Sequence, residues 1–169
     1  DLGTGSGALL LAALSEWPDA HGLGVDASPG ALAVAQGNAE RLGLAGRATF
    51  RPGDWAQGID GRFDLILINP PYIARSVALA GDVLHEPDSA LFAGVEGLDD
   101  YRRIVPDLPR LIAPDGMAAI EIGYDQKDAV SALLGDAGLA VRVLQDLAGH
   151  DRCLVATMSK GTGAMQLTP

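Results

Sequence analysis

One cysteine, Cys153, stands among 169 residues, so no internal disulfide can close and no thiolate metal cluster can form. A reducing, cytoplasmic setting fits that usage. Histidine is almost as scarce: His21, His85 and His150 share no ligand spacing, and no metal is expected. No apolar run reaches the ~18 residues that read as a membrane span, and no signal or transit pattern is visible. Basic residues are outnumbered, with 12 Lys+Arg against 22 Asp+Glu and a net charge of -10. A phosphate backbone repels such a chain, so no direct nucleic-acid partner is expected. The basic pairs Arg47/Arg51 and Arg102/Arg103 are too thin to overturn that. With 48% hydrophobic residues, the chain is not a disordered one, and its length suits one domain with its own core.

Strand and helix patterns alternate, which predicts an α/β fold with a mostly parallel sheet and helices on both faces. Ala8 to Glu16 reads as a helix stopped by Trp17-Pro18, and His21 to Asp26 as a short strand. Ser28-Pro29 caps a helix to about Leu42, and Arg47 to Arg51 is a third strand. The apolar run Phe63 to Ile68 predicts a strand covered on both faces. Residues 73–98 show no clear period and read as a loop with a short helical piece, and a loop of that length is usually functional. A helix is expected over Asp99 to Ile112, kinked at Pro106 and Pro109. Strands at Met117–Ile122, Leu139–Leu144 and Cys153–Met158 surround a helix over Gln126–Gly135, the last two strands forming an antiparallel hairpin. Residues 159–169 read as a flexible tail.

The chain opens on Asp1-Leu2-Gly3-Thr4-Gly5-Ser6-Gly7, a glycine turn between a strand end and a helix start. The strand that delivers Asp1 is expected upstream of the sequence. Such a turn lets a ligand approach the backbone and aims helix N–H groups at it; the bland alternative is that the glycines only permit a tight turn. Asp26, 19 positions after Gly7, suits a carboxylate accepting from ribose hydroxyls. Asp54 can accept from an exocyclic amine, and the Trp55 indole can cover an adenine face or simply pack. After the fourth apolar strand comes Asn69-Pro70-Pro71-Tyr72. Proline cannot continue a ladder, so the strand ends abruptly and leaves the Asn69 side chain and the Pro70 carbonyl at its carboxyl edge. Two acceptors and an aromatic ring there can grip a planar –NH2 group.

These motifs resemble class I S-adenosylmethionine-dependent methyltransferases, and more narrowly the HemK/PrmC group. The narrower markers are His85-Glu86-Pro87, Ala90-Leu91-Phe92 with Gly94, Gly97-Leu98, Tyr101-Arg102, Glu121-Ile122-Gly123 with Gln126, and Asp146-Leu147 with Gly149 and Arg152. The resemblance runs from Asp1 to about Met158. It implies a Rossmann-like sheet and a catalytic domain over 1–158, with the first strand and an N-terminal helical domain not in this sequence. It implies S-adenosyl-L-methionine as cofactor, held by Asp1, Gly3, Thr4, Gly5, Ser6, Gly7, Asp26, Asp54, Trp55 and Asn69. The implied reaction is methylation of the glutamine amide of peptide chain release factors, gripped by Asn69, Pro70, Pro71 and Tyr72, with Asn69, Pro70 and Tyr72 catalytic. The rival readings are an adenine-N6 methyltransferase acting on a flipped base and a domain that binds cofactor without turnover. Glu86 is read as organising its loop, Asp99, Asp100, Arg102 and Arg103 as a solvated helix face, and Arg152 as pairing with Asp146.

Overall fold

Local chemistry sets the element boundaries. The computed structural model describes residues 1–71 and 97–159. Helix α1 (Ala8–Glu16) starts at Gly7 without a side-chain cap and ends at Trp17, before Pro18. Its carbonyl end is closed from outside: the Arg47 guanidinium donates to the Leu14 carbonyl in the last turn, which a helix terminus leaves free, and to the Trp17 and Ala20 carbonyls just beyond it. Helix α2 (Pro29–Arg41) is capped by the Ser28 hydroxyl, which accepts from the Ala31 N–H at 3.3 Å. Pro29 occupies the first turn, where no N–H is needed.

Strands β1 (Gly22–Asp26) and β2 (Ala48–Pro52) pair in parallel. Strand β3 (Phe63–Ile68) pairs in parallel with β4 (Ile112–Glu121). Strand β5 (Leu139–Gln145) forms an antiparallel hairpin with β6 (Asp151–Met158), which lies antiparallel to β4. Leu2 joins the two groups by bridging Val25 and Ile68, both in parallel. The lateral order is therefore β2, β1, Leu2, β3, β4, β6, β5.

Alternation along β1 shows why both faces carry helices. Val25 enters a core with Ile68, Tyr101, Leu108, Ile120 and Leu134. Gly22 faces the other way, where a Cβ would strike Leu10 of α1 at 2.3 Å. There Leu10, Leu11, Leu14, Ala39 and Leu44 form a second core.

Three expectations change. The helix expected over Asp99–Ile112 is broken into α3 (Asp99–Ile104), a 3-10 turn (Val105–Asp107) and α4 (Leu108–Leu111), because Pro106 and Pro109 each open a new helical piece instead of kinking one. Strand β4 begins at Ile112 rather than Met117; its register against β3 shifts between Phe63 and Leu65, absorbing Pro114-Asp115-Gly116. Strand β3 is not covered equally on both faces: Ile66 and Ile68 are buried, Leu65 and Leu67 only half-buried. Helix α5 (Lys127–Asp136) falls one residue from its expected place. Most of the expected 73–98 loop and the tail beyond Ser159 lie outside the described residues, as do Tyr72, His85 and Glu86. No helix among the described residues is long and apolar enough to cross a membrane.

Candidate active site

Register brings the candidate residues together. Val25, Leu2, Ile68, Ile120 and Leu154 follow one another across the sheet. One residue further along the parallel strands come Asp26, Gly3, Asn69 and Glu121. The Gly53 N–H donates to the Asp26 carbonyl at 3.1 Å and extends the row to the Asp54-Trp55 turn. Neighbouring strands lie about 4.8 Å apart, so these groups share one carboxyl edge, where open α/β sheets take their ligands. Asn69 is exposed on that edge and Pro70 is buried beside it. Tyr72 is the member of the predicted set that falls outside the described residues.

The glycine turn is pinned from several sides. The Gly3 and Thr4 N–H groups both donate to the Val25 carbonyl at 2.9 Å. The buried Thr4 donates its hydroxyl to Asp1 Oδ2 at 2.7 Å. Asn38, on α2, donates its side-chain N–H to the Ser6 carbonyl at 2.8 Å. Asp26 has a part that sequence spacing did not reveal: its Oδ2 accepts the Gly5 N–H and its Oδ1 the Ser28 N–H, each at 2.8 Å. Each carboxylate oxygen has further acceptor capacity, enough to receive a vicinal diol as well. The glycines divide their work. At Gly3, with φ 73°, an added Cβ would lie 2.7 Å from Trp55 Cζ3; at Gly5, with φ 53°, it would meet nothing within 4 Å. The backbone at Gly5 therefore faces open space, which a ligand can enter.

Asp54 and Trp55 are tied to α3. Trp55 has φ 50°, the only positive value among the described non-glycine residues. Its Nε1–H donates to Asp100 Oδ1 at 3.0 Å. Arg103 donates to the same oxygen at 3.1 Å and, through its other terminal nitrogen, to Asp54 Oδ2. Asp54 Oδ2 also accepts from Gln57 at 3.2 Å, which leaves Oδ1 for a ligand donor. Asp99 and Arg102 pair at 3.3 Å on an exposed face, as expected. Asp100 departs from that expectation, with its side chain only 15% exposed. It lies 45 residues from Trp55, and no local pattern announces the contact.

A glycine turn with open space before it, a carboxylate for a diol, a free carboxylate oxygen and an indole wall fit an adenosyl group. A family model described as a methyltransferase domain matches residues 1–132. The chain belongs to the methyltransferase-domain family. It is similar to the release factor glutamine methyltransferase of Rhodospirillum rubrum, 49% identical over 160 residues that make up 92% of this chain and 49% of that protein. The protein of the same name from Caulobacter vibrioides is 49% identical, over 92% of this chain and 55% of its own length. The chain thus spans about half the length of the curated relatives it matches. Among solved structures, the ribosomal protein L11 methylase from Lactobacillus delbrueckii subsp. bulgaricus aligns with a TM-score of 0.65 at 22% identity, over 92% of this chain and 67% of that one. The fold is that of the class I methyltransferases.

In this methyltransferase domain, a buried polar brace closes the far side of the edge. Gln126 Oε1 accepts the Gly123 N–H at 3.0 Å and the Tyr101 hydroxyl at 3.3 Å, while its Nε2 donates to the Gly97 carbonyl at 3.1 Å. The Tyr101 hydroxyl also reaches the Glu121 carbonyl at 2.9 Å. The brace fastens Gly97 to the end of β4. Beyond it, Arg152 pairs with Asp146 at 3.4 Å and donates to the Ile122 carbonyl, the structural role read from sequence. The His150 N–H first, with the Ala148 N–H and Arg152 behind it, holds the Asp146 carboxyl below its ordinary range, against the opposing effect of desolvation.

Proposed function

We propose that this methyltransferase domain transfers a methyl group from S-adenosyl-L-methionine to the side-chain amide nitrogen of a glutamine, the one in the Gly-Gly-Gln motif of peptide chain release factors. The observation that carries the reading is the exposed Asn69, followed by buried Pro70, abreast of the Gly3 turn. The similarity to relatives named for release factor glutamine methylation supports the substrate. The catalytic domain in this reading is residues 1–158.

When bound, S-adenosyl-L-methionine supplies a methyl carbon made electrophilic by its sulfonium. The work of this chain's residues is positioning and electrostatics. Asp26 accepts from the ribose hydroxyls, and the open backbone at Gly5 receives the adjoining part of the ligand. Asp54 Oδ1 accepts from the adenine amine beside the Trp55 ring. An amide nitrogen is a poor nucleophile because its lone pair is delocalised. Asn69 Oδ1 and the Pro70 carbonyl accept its two hydrogens and fix the nitrogen in line with the methyl carbon. As transfer proceeds, positive charge grows on that nitrogen and both acceptors bind it more strongly, so their contribution falls on the transition state. The resemblance gives Tyr72, which lies outside the described residues, the part of covering the amide plane. The excess proton leaves to water once the nitrogen is cationic.

The competing substrate is an adenine amine in nucleic acid, which the same two acceptors could hold. The charge of -10 works against it by repelling phosphates. The test is a transfer assay with methyl-labelled S-adenosylmethionine, setting a release factor that carries Gly-Gly-Gln beside adenine-containing DNA. Label on the release factor glutamine, with none on DNA, supports the proposal. Label on DNA overturns it, and so does binding of S-adenosylhomocysteine without label on either substrate.

A further inference from the structure

We propose that Asp100 is a positioning residue for the nucleoside side of the cofactor site, acting through Trp55. The inference rests on the reading that the Gly3–Gly7 turn holds the cofactor. Its starting point is the backbone of Trp55, whose φ of 50° is one that bulky L-residues rarely adopt and that the surrounding structure must enforce.

Two contacts enforce it. The indole N–H is held by Asp100 Oδ1 at 3.0 Å. The six-membered ring lies against Gly3 so closely that a Cβ there would come within 2.7 Å of Cζ3 and 3.1 Å of Cη2. A continuous path therefore runs from α3, through one hydrogen bond and one ring, to the first glycine of the cofactor turn.

A second connection closes the circuit. Arg103 joins Asp100 to Asp54, the chain neighbour of Trp55. The members are unequal in weight. Arg103 and Asp54 are 49% and 44% exposed, whereas the Asp100 side chain is 15% exposed. Solvent screens the first pair and leaves it worth little; the Asp100–Trp55 bond is the sheltered one. Acids in a first helical turn are also favoured by the helix dipole, and that role alone would involve neither Trp55 nor the cofactor. The two roles part in their effect on binding. A loosened indole lets the turn relax, so the cofactor must reorder it on binding and affinity falls.

The test uses the intact protein, with S-adenosylhomocysteine as probe in calorimetry and initial-rate kinetics beside it. Asp100→Ala should weaken probe affinity about tenfold and raise the cofactor KM in proportion, while kcat falls less than about threefold. Asp100→Asn keeps an oxygen that accepts the indole N–H and should stay within about threefold of wild type in affinity. Trp55→Phe deletes the N–H together with the ring atoms that lie against Gly3, so it should cost at least as much as Asp100→Ala, with Asp100→Ala costing nothing further in that background. This variant reads the same bond from the other side should Asp100→Ala fail to fold. Unchanged affinity in folded Asp100→Ala overturns the proposal, as does a full extra loss on adding it to Trp55→Phe. Asn behaving like Ala overturns it too, because the effect would then run through charge on Arg103. Asp26→Ala separates the failures: if it weakens binding and Asp100→Ala does not, only the positioning role is lost. If neither weakens binding, the site itself has been misplaced.

Discussion

Replacing Asp26 with alanine removes two kinds of interaction at once, and their sizes differ in a measurable way. Within the protein, the carboxylate accepts the Gly5 and Ser28 N–H groups, each at 2.8 Å. Both donors lie near the surface, so water replaces much of what is lost, and the variant should be destabilised by about 1–2 kcal/mol. For a domain of this size that is a fall in Tm of about 2–8 °C. Toward the cofactor, the lost acceptor of ribose hydroxyls is worth about 1.5–3 kcal/mol, or about ten- to hundredfold in affinity. Release of Gly5 from its anchor adds to the loss, since the turn must then be ordered by the ligand. Asp26→Asn should fall between wild type and alanine: its oxygen can serve one donor, while its –NH2 opposes the other. The assay is calorimetric titration with S-adenosylhomocysteine, with a thermal melt of each variant. Wild-type affinity in a folded Asp26→Ala protein would refute the reasoning.

Gly3→Ala should weaken cofactor affinity about tenfold, because the φ of 73° disfavours a side chain and the new Cβ must push the Trp55 ring aside; calorimetry with the same probe checks it. Gln126→Leu should lower Tm without touching the glycine turn, since it strands the Gly123 N–H and the Gly97 carbonyl at about 1–3 kcal/mol each; an unchanged melt would contradict the brace. Acid should weaken the β5–β6 hairpin through Asp146, whose carboxyl is held below its ordinary range, chiefly by the His150 N–H. A depressed folded-state value places this stabilisation above the unfolded pKa of about 3.9 and removes it as pH falls through the folded one. Thermal melts from about pH 5 down to about pH 2.5 should therefore fall less steeply for Asp146→Asn than for wild type.

What was legible in the sequence was local. Ser28-Pro29 announces the start of α2 because capping chemistry acts over three residues, and the spacing from the glycine turn to Asp26 places both at one sheet edge. Asn69-Pro70-Pro71 ends β3 because proline cannot pair. Contacts that cross the fold were hidden. Asp100 reads as a solvated helix residue until topology lays α3 beside Trp55. Asp26 reads as a ribose ligand, and its grip on Gly5, 21 residues earlier, emerges only when β1 is set beside Leu2. The run Phe63 to Ile68 is apolar but for Asp64, yet the burial of Ile66 and Ile68 exceeds that of Leu65 and Leu67. Composition cannot report which face a helix covers. The expected start of β4 missed because Pro114-Asp115-Gly116 reads as a loop, while the sheet absorbs it as a register shift.

The account stands or falls on Asn69. Its side chain is exposed at a strand end, so Asn69→Ala opens no core cavity and Tm should hardly move. The lost acceptor serves a charge that develops only during transfer, and removing one such preorganised partner costs about 10²–10³ in rate. Single-turnover methyl transfer at saturating cofactor and release factor should therefore slow by that factor, with affinity for S-adenosylhomocysteine changed far less. A single-turnover rate within about threefold of wild type would contradict the claim that Asn69 holds the reacting nitrogen.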